Sequence, residues 1–516
     1  MSERDQPASG ATLAIATLFS LAFAVAVPLD LLPWLRGPAP YPPEWQWELR
    51  SPPAALPPAA AFLLLVTLLL LAASGSSWLA RRERAAACGL VGAAIALGLL
   101  LPPALLAREG NGALRTLLAR TSSFSVTSYH TAALSDEARD PIAFVRRHAE
   151  LLPQLALTAK HAATHPVGPV LLFRASIAAC ESWPGLTRAL LAAAGVPERE
   201  FALPPTRPAR AGALLGALAL GLCAALTAWP LAALAEALGL TPLAAARAAL
   251  LWVLLPAPAL VAPRFDAAIA LPLTAFAALV FRAARSGRLV VLPALLAGVC
   301  AGLALLLSYG AAAFLALAGL AAGAALAAAS HEERTRRLAA LAAALLASAA
   351  VAVAIAFGIP AAVGGHPFAA LRTALAIHRE AYTTPRSYRL WLLFDGIDFA
   401  ALFGVGLAFL AAAAAVGAAR QLRPRATAPR RALFALALLL GVALLVVSGA
   451  TRGEVGRLWI PLMPLVLAGA APVWAAGSPV RGAPEAAVDT DDPRPALLAG
   501  LLCTLSTVAV AAAWRL

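Results

Sequence analysis

Glu44 and Glu48 stand in Tyr41-Pro42-Pro43-Glu44-Trp45-Gln46-Trp47-Glu48, between prolines and tryptophans that suit a membrane–water interface. A carboxylate among aromatic rings can act as a general base toward an incoming hydroxyl or amine. Its plain alternative is an ion pair of Glu44 with Arg36 or Arg50. Asp30, which ends the first apolar run, and Glu48, which shares the loop, are the reserve bases. A second group lies far downstream, in Thr451-Arg452-Gly453-Glu454-Val455-Gly456-Arg457. Two guanidinium groups within one short turn can hold a phosphate bidentately. The alternative there is an i, i+3 surface pair of Glu454 with Arg457.

Seven histidines supply a further signal. His130, His148, His161, His165, His366 and His378 fall in segments expected outside the membrane, and His331 in a basic turn. His161 and His165 have the i, i+4 spacing of a zinc pair, but no Glu follows His161 as a metalloprotease base would require. Polar lining of an external cavity is the favoured reading: no metal site is indicated, and no cofactor. Arg174, Glu181 and Arg188 recur every seven residues and share a helix face, which must meet protein or water because a charge at mid-bilayer costs at least about 2.5 kcal/mol. Asp489-Thr490-Asp491 matches the DxD of nucleotide-sugar enzymes but lies in a short linker with no soluble domain around it. There is no P-loop, GxSxG elbow or dinucleotide fingerprint.

The elements that must position these residues are set by composition. The 516 residues are 61% hydrophobic and 13% charged, with a mean hydropathy of +0.81, against about 25% charged in soluble domains. This excludes an ordinary soluble enzyme. The net charge of +14 is almost wholly arginine and is not gathered on one face, so no nucleic-acid partner is implied. Cys88, Cys180, Cys223, Cys300 and Cys503 are odd in number, widely spaced and mostly within apolar runs, which argues against a disulfide framework.

Runs of about 20 apolar residues predict an all-α polytopic bundle of about 12–14 transmembrane helices, at 11–33, 59–80, 85–107, 166–194, 211–235, 241–262, 265–281, 289–307, 309–330, 338–360, 392–415, 432–449, 458–476 and 498–514. The first is read as an uncleaved span. Arginine-rich turns at 81–84, 282–288, 331–337 and 420–431 mark the cytoplasmic side. Loops 34–58, 108–165, 361–391 and 450–457, with the turn at Tyr309, then lie outside. Alternation fails once: Arg264 and Arg282 flank one apolar stretch and both vote for the cytoplasm, so 241–262 or 265–281 is not a simple crossing, and Pro256, Pro258 and Pro263 make a broken element there natural. Within 108–165, Ser135 and Asp140 are N-cap types, Pro141 suits a first helical position, and apolar residues alternate with charged ones, which predicts amphipathic surface helices. The chain divides into a membrane domain over 1–476, a cytoplasmic linker over 477–497 and a last helix over 498–516.

The layout resembles the GT-C superfamily of integral-membrane glycosyltransferases, in particular the protein mannosyltransferase, aminoarabinose transferase and RgtA/B/C/D-like kind. The resemblance rests on a first span ending in an acidic, aromatic outside loop, on amphipathic helices leading into Thr164-His165-Pro166-Val167-Gly168-Pro169, and on Arg452-Gly453-Glu454-Val455-Gly456-Arg457-Leu458-Trp459 with Pro461 and Pro464. It implies a bacterial cytoplasmic-membrane enzyme that moves a sugar from a polyprenyl-phosphate carrier to an acceptor on the outer face, with membrane lipids around it and no nucleotide. Glu44 is then the catalytic base, with Asp30 behind it. Arg452, Arg457 and Glu454 meet the donor phosphate, while Trp45, Trp47, His165, Tyr309 and Asp266 line the acceptor cavity. Pro43 stands where such enzymes carry an acidic residue, and Val167 alters their His-Pro-Pro-Gly. The competing readings are a transporter or flippase of lipid-linked saccharides and a non-catalytic envelope-assembly protein. Sugar, acceptor and oligomeric state are not encoded in any motif.

Overall fold

The computed structural model describes residues 10–41, 43–124, 126–196, 204, 206–421, 430–470 and 492–516. It is all-α and 79% helical, as expected for a chain rich in alanine and leucine whose backbone groups must be satisfied without water. Among the described residues six helices are long and apolar enough to cross a bilayer: Glu83–Glu109, Arg207–Ala237, Phe265–Ala284, His331–Ala362, Arg430–Ser448 and Arg494–Ala513. Tyr388–Phe403 and Val405–Arg420, expected as one span over 392–415, meet at 112° and form a seventh only if counted together. Shorter apolar helices, Gly10–Ala26, Pro58–Ala73, Pro242–Leu254, Val291–Leu307, Ala311–Leu326 and Ile460–Gly469, stand at other predicted spans. A 17-residue helix covers about 25 Å, slightly less than the hydrocarbon core of about 30 Å. The chain is a multi-pass helical membrane protein.

The predicted span 166–194 is two helices, Gly168–Ser182 and Pro184–Ala193. Pro184 disfavours helical backbone at Trp183, which sits at φ −122°, ψ 83° and ends the first helix. Gly168–Ser182 runs antiparallel along the first half of Arg207–Leu226: a Cβ at Gly212 would lie 2.7 Å from Ile177, and one at Gly216 2.4 Å from Phe173. The start of that longer helix belongs with the 108–165 segment, because His130 Nε2 donates to the Ala209 carbonyl at 3.0 Å. The 166–194 segment therefore does not cross. Dropping it repairs the alternation, since Arg264 donates to the Val126 carbonyl at the end formed by the 108–165 segment, whereas Arg285 lies at the opposite end with Glu333, Arg337 and Arg430. The expected break within 241–262 is present: Leu255, forced to extended backbone by Pro256, separates Pro242–Leu254 from Pro256–Leu260.

One apolar core joins most of the spanning helices, and a second gathers the helices over 129–182 with Phe265, Ala370 and Ala374. At one end the first is closed by a two-residue antiparallel pairing, Glu48 opposite Arg515 and Leu49 opposite Trp514. This fastens the end of the Arg494–Ala513 helix to the 34–58 loop. Arg247, fully buried near the other end, is held by Ser74 through its hydroxyl at 2.9 Å and its carbonyl at 3.2 Å. The DxD residues Asp489 and Asp491, most of the 477–497 linker and Arg425 lie outside the described residues.

Candidate functional site

Asp395 and Asp398, one turn apart on the Tyr388–Phe403 helix, accept hydrogen bonds from the backbone N–H groups of Gly453 at 3.1 Å and Gly456 at 3.0 Å. Two carboxylates three residues apart thus hold two amides three residues apart, and the arginine turn is fastened to the helix. A Cβ at position 456 would lie 2.6 Å from the Asp398 carbonyl, so the approach requires glycine. The second oxygen of Asp398 accepts from Trp47 Nε1 at 2.7 Å. Trp47 stacks on Trp514, with centroids 6.3 Å apart, and meets Trp45 edge-on at 5.7 Å. Glu44 is only 5% exposed. One of its oxygens accepts from Ser387 N at 2.9 Å and the other from Trp391 Nε1 at 2.8 Å.

A buried ionic group lies beside this scaffold. Arg457 Nη1 is 2.9 Å from Glu454 Oε2, and its Nε is 3.6 Å from Asp266 Oδ2. Arg386 approaches Glu454 to 3.5 Å, lies over the Trp45 ring at 5.8 Å and donates to the Arg452 carbonyl. Asp266 lies in the first turn of the Phe265–Ala284 helix, two residues after Arg264, where the helix dipole favours a negative charge. Burial works to raise the Glu454 carboxyl, but Arg457, Arg386 and Arg264 hold it below its ordinary value. On the flank, the His165 Nδ1–H donates to the His161 carbonyl at 2.9 Å, so neutral His165 accepts from the Tyr129 hydroxyl at 3.2 Å through Nε2. Burial lowers His165 to about 3 and keeps it neutral. The Tyr382 hydroxyl is buried without a hydrogen-bond partner among the described residues, and Lys160 lies 4.8 Å over the Tyr382 ring.

The structure thus brings Glu44, Trp45, Trp47, Glu454, Arg457, Asp266 and His165 to one end of the bundle. It also places Asp266, whose side of the membrane was unresolved, at that end. Glu44 pairs with neither Arg36 nor Arg50: Arg36 holds Asp30 through both carboxylate oxygens at 3.0 and 3.2 Å, and Arg50 approaches Glu109. Arg452 donates to the carbonyls of Gly449, Thr383 and Arg386 at 3.1, 3.1 and 2.7 Å, which makes it a brace for the turn. Tyr309 lies apart, in a hollow of about 20 Å³ shared with His148, Val167 and His366. His161 and His165 flank a 3-10 turn and do not share a helix face. Arg174 and Glu181 pair at 2.5 Å, whereas Arg188 is on the next helix.

Reading the sequence missed Asp395, Asp398 and Arg386. Two acidic residues inside an apolar run are a functional signal in themselves, and they sat in the predicted 392–415 span. Arg264 was read only as a marker of membrane side.

The other face of the Tyr388–Phe403 helix walls an apolar cavity of about 400 Å³. Phe399 and Phe403 line it together with Phe409, Leu438, Val442 and Val466, from the neighbouring helices. No protein-family model, curated protein or solved structure matches this chain.

Proposed function

We propose that the chain is a membrane glycosyltransferase that moves a sugar from a polyprenyl-phosphate carrier to an acceptor at the outer face of the bacterial cytoplasmic membrane. The observation that carries this reading is the group of Arg264, Arg386 and Arg457 around Asp266 and Glu454, in which Arg457 and Glu454 are buried and the others half-buried, set at one end of an apolar bundle. The arginine-rich turns lie at the opposite end, and the positive-inside rule assigns that end to the cytoplasm.

In this reading the carbon–oxygen bond between the sugar and the lipid phosphate breaks, and a bond forms from the sugar to the acceptor oxygen. Arg457 and Arg264 supply positive charge to the departing phosphate. A carboxylate takes the acceptor proton. Geometry favours Asp266 for that role, because both oxygens of Glu44 accept hydrogen bonds within the fold, while Asp266 keeps 16% of its side chain exposed beside Arg457. The apolar cavity beyond the Tyr388–Phe403 helix is of a size to take part of an isoprenoid chain.

The test is transfer by the purified full chain from polyprenyl-phosphate hexose, pentose and amino-sugar donors, read as release of polyprenyl phosphate. Asp266→Asn removes basicity and keeps volume, and is expected to lower the rate by about 10²- to 10⁴-fold. An undiminished Asp266→Asn rate removes Asp266 as base. A parent protein that moves such donors across a vesicle membrane without consuming them is a flippase, and the transferase reading fails.

A further inference from the structure

Arg50 and Arg120 converge on the carboxylate of Glu109, and Arg108 lies beside them. Arg108 and Glu109 lie in the 3-10 turn Ala107–Glu109 that follows the Glu83–Leu106 helix, Arg120 is on the Ala113–Ser122 helix, and Arg50 follows the Glu48–Leu49 strand. Arg120 Nη2 is 2.5 Å from Glu109 Oε1, and Arg50 Nη2 is 3.5 Å from the same oxygen. Arg108 donates only to the Leu105 carbonyl of its own turn, at 3.0 Å. Arg108 Nε and Nη2 and Arg50 Nε are shut off from solvent without a hydrogen-bond partner among the described residues. The side chains of Arg50 and Arg120 are 13% and 12% exposed. Two guanidiniums therefore share one carboxylate and a third, Arg108, lies beside them with no carboxylate of its own, which leaves a net charge of about +2 in a poorly solvated place. Unpartnered charged donors in such a place are costly, and a multidentate oxyanion removes that cost better than the single Glu109 oxygen shared by Arg50 and Arg120.

We propose that Arg50, Arg108 and Arg120 form a binding site for a phosphate group, that of a free phosphate ion or of an anionic phospholipid headgroup. Guanidinium forks match phosphate oxygens bidentately. The turn follows directly on a spanning helix, at the depth where headgroup phosphates lie. Glu109, 22% exposed, is the internal competitor: it occupies Arg50 and Arg120 until a phosphate displaces it. The site is separate from the Asp266 group; Arg120 links the two, its Nη1 donating to the Ala262 carbonyl at 3.2 Å. It stands whether or not the transferase reading holds, because its test contains no sugar donor.

The test uses the full chain in two arms. In zwitterionic detergent at constant ionic strength, inorganic phosphate is titrated and thermal stability recorded. In nanodiscs, phosphatidylcholine alone is compared with phosphatidylcholine containing phosphatidylglycerol. Stabilisation is expected in at least one arm, and Arg108→Gln should weaken it about tenfold in apparent affinity, the loss of one charge-assisted contact. Glu109→Gln should shift affinity the opposite way, to several-fold tighter, because the competitor is gone. A misfolded variant cannot imitate that gain. A response to phosphate ion in detergent identifies the free ion as ligand, and a response confined to phosphatidylglycerol identifies the headgroup. No response in either arm, or equal responses of the parent, Arg108→Gln and Glu109→Gln, overturns the proposal.

Discussion

Glu44 illustrates how the donors around a carboxylate decide what it does. In the sequence it was a base among tryptophans; in the fold it is the acceptor that fixes Ser387 and Trp391. Truncating it leaves two buried N–H groups without a partner, at about 1–3 kcal/mol each. Glu44→Ala should therefore lower the melting temperature clearly more than Glu44→Gln, whose amide oxygen still accepts one bond. Equal melting temperatures for both variants and the parent would show that these hydrogen bonds carry no stability. The histidines supply a second residue-level expectation. Burial lowers His130 and His148 to about 4 and His165 to about 3, below the ordinary value of about 6.5. The unfolded chain then binds protons that the folded chain refuses. The histidine contribution is full above about pH 6.5 and is lost as pH drops toward 4. Glu454 does not contribute in that window, because a carboxyl held below its ordinary value loses its stabilisation only at still lower pH. Between pH 7.5 and 5 the melting temperature of His148→Gln should gain on that of the parent, because the variant lacks one acid-destabilised group. A constant difference between the two would assign the acid sensitivity elsewhere.

Elements were legible where their boundaries are covalent and obscure where they depend on partners. Asp140 caps the Pro141–Thr158 helix through the amides of Ile142 and Ala143, as the Asp-Pro pair predicts. Trp183-Pro184 is equally readable as a stop, but it sits within an apolar run of span length, for which hydropathy predicts one continuous helix. Gly404, at φ +94°, is where the 112° bend falls. One glycine in an apolar run does not announce such a bend, because the bend depends on what each half packs against. Val405–Gln421 follows the Gly10–Ala26 helix, with Leu410 beside Ala16 and Phe409 beside Phe19, while Tyr388–Phe403 is held by the arginine turn. Asp398→Ala should cost about 1–3 kcal/mol for each of its two stranded donors, Trp47 Nε1 and Gly456 N. The loss is expected as a lower melting temperature together with faster proteolysis of the 449–457 turn. Proteolysis at the parent rate would show that the turn holds without its carboxylate.

For the whole molecule, hydropathy predicts an all-α membrane bundle because twenty apolar residues have few other fates, and that much was readable from composition. Which apolar helices cross was not, since Gly168–Ser182 earns its apolar face by packing on the Arg207–Leu226 helix and not on lipid. The two topologies separate at defined positions. Counting 166–194 as a span puts Arg207 on the side of Arg285, whereas the structure puts Arg188 and Arg207 on the side of Arg147. All four side chains are exposed, so single cysteines at these positions, in a background with the five native cysteines replaced, can be labelled with an impermeant thiol reagent in intact cells. Positions 147, 188 and 207 should react and position 285 should not. Labelling at 147 with protection at 207 would restore 166–194 as a crossing. The start of the Arg207–Leu226 helix would then part from His130, and Arg264, through Val126 and Phe265, would be drawn away from Arg457. Because the charged group around Asp266 exists only if these segments share one end of the bundle, the labelling pattern tests the site as well as the fold.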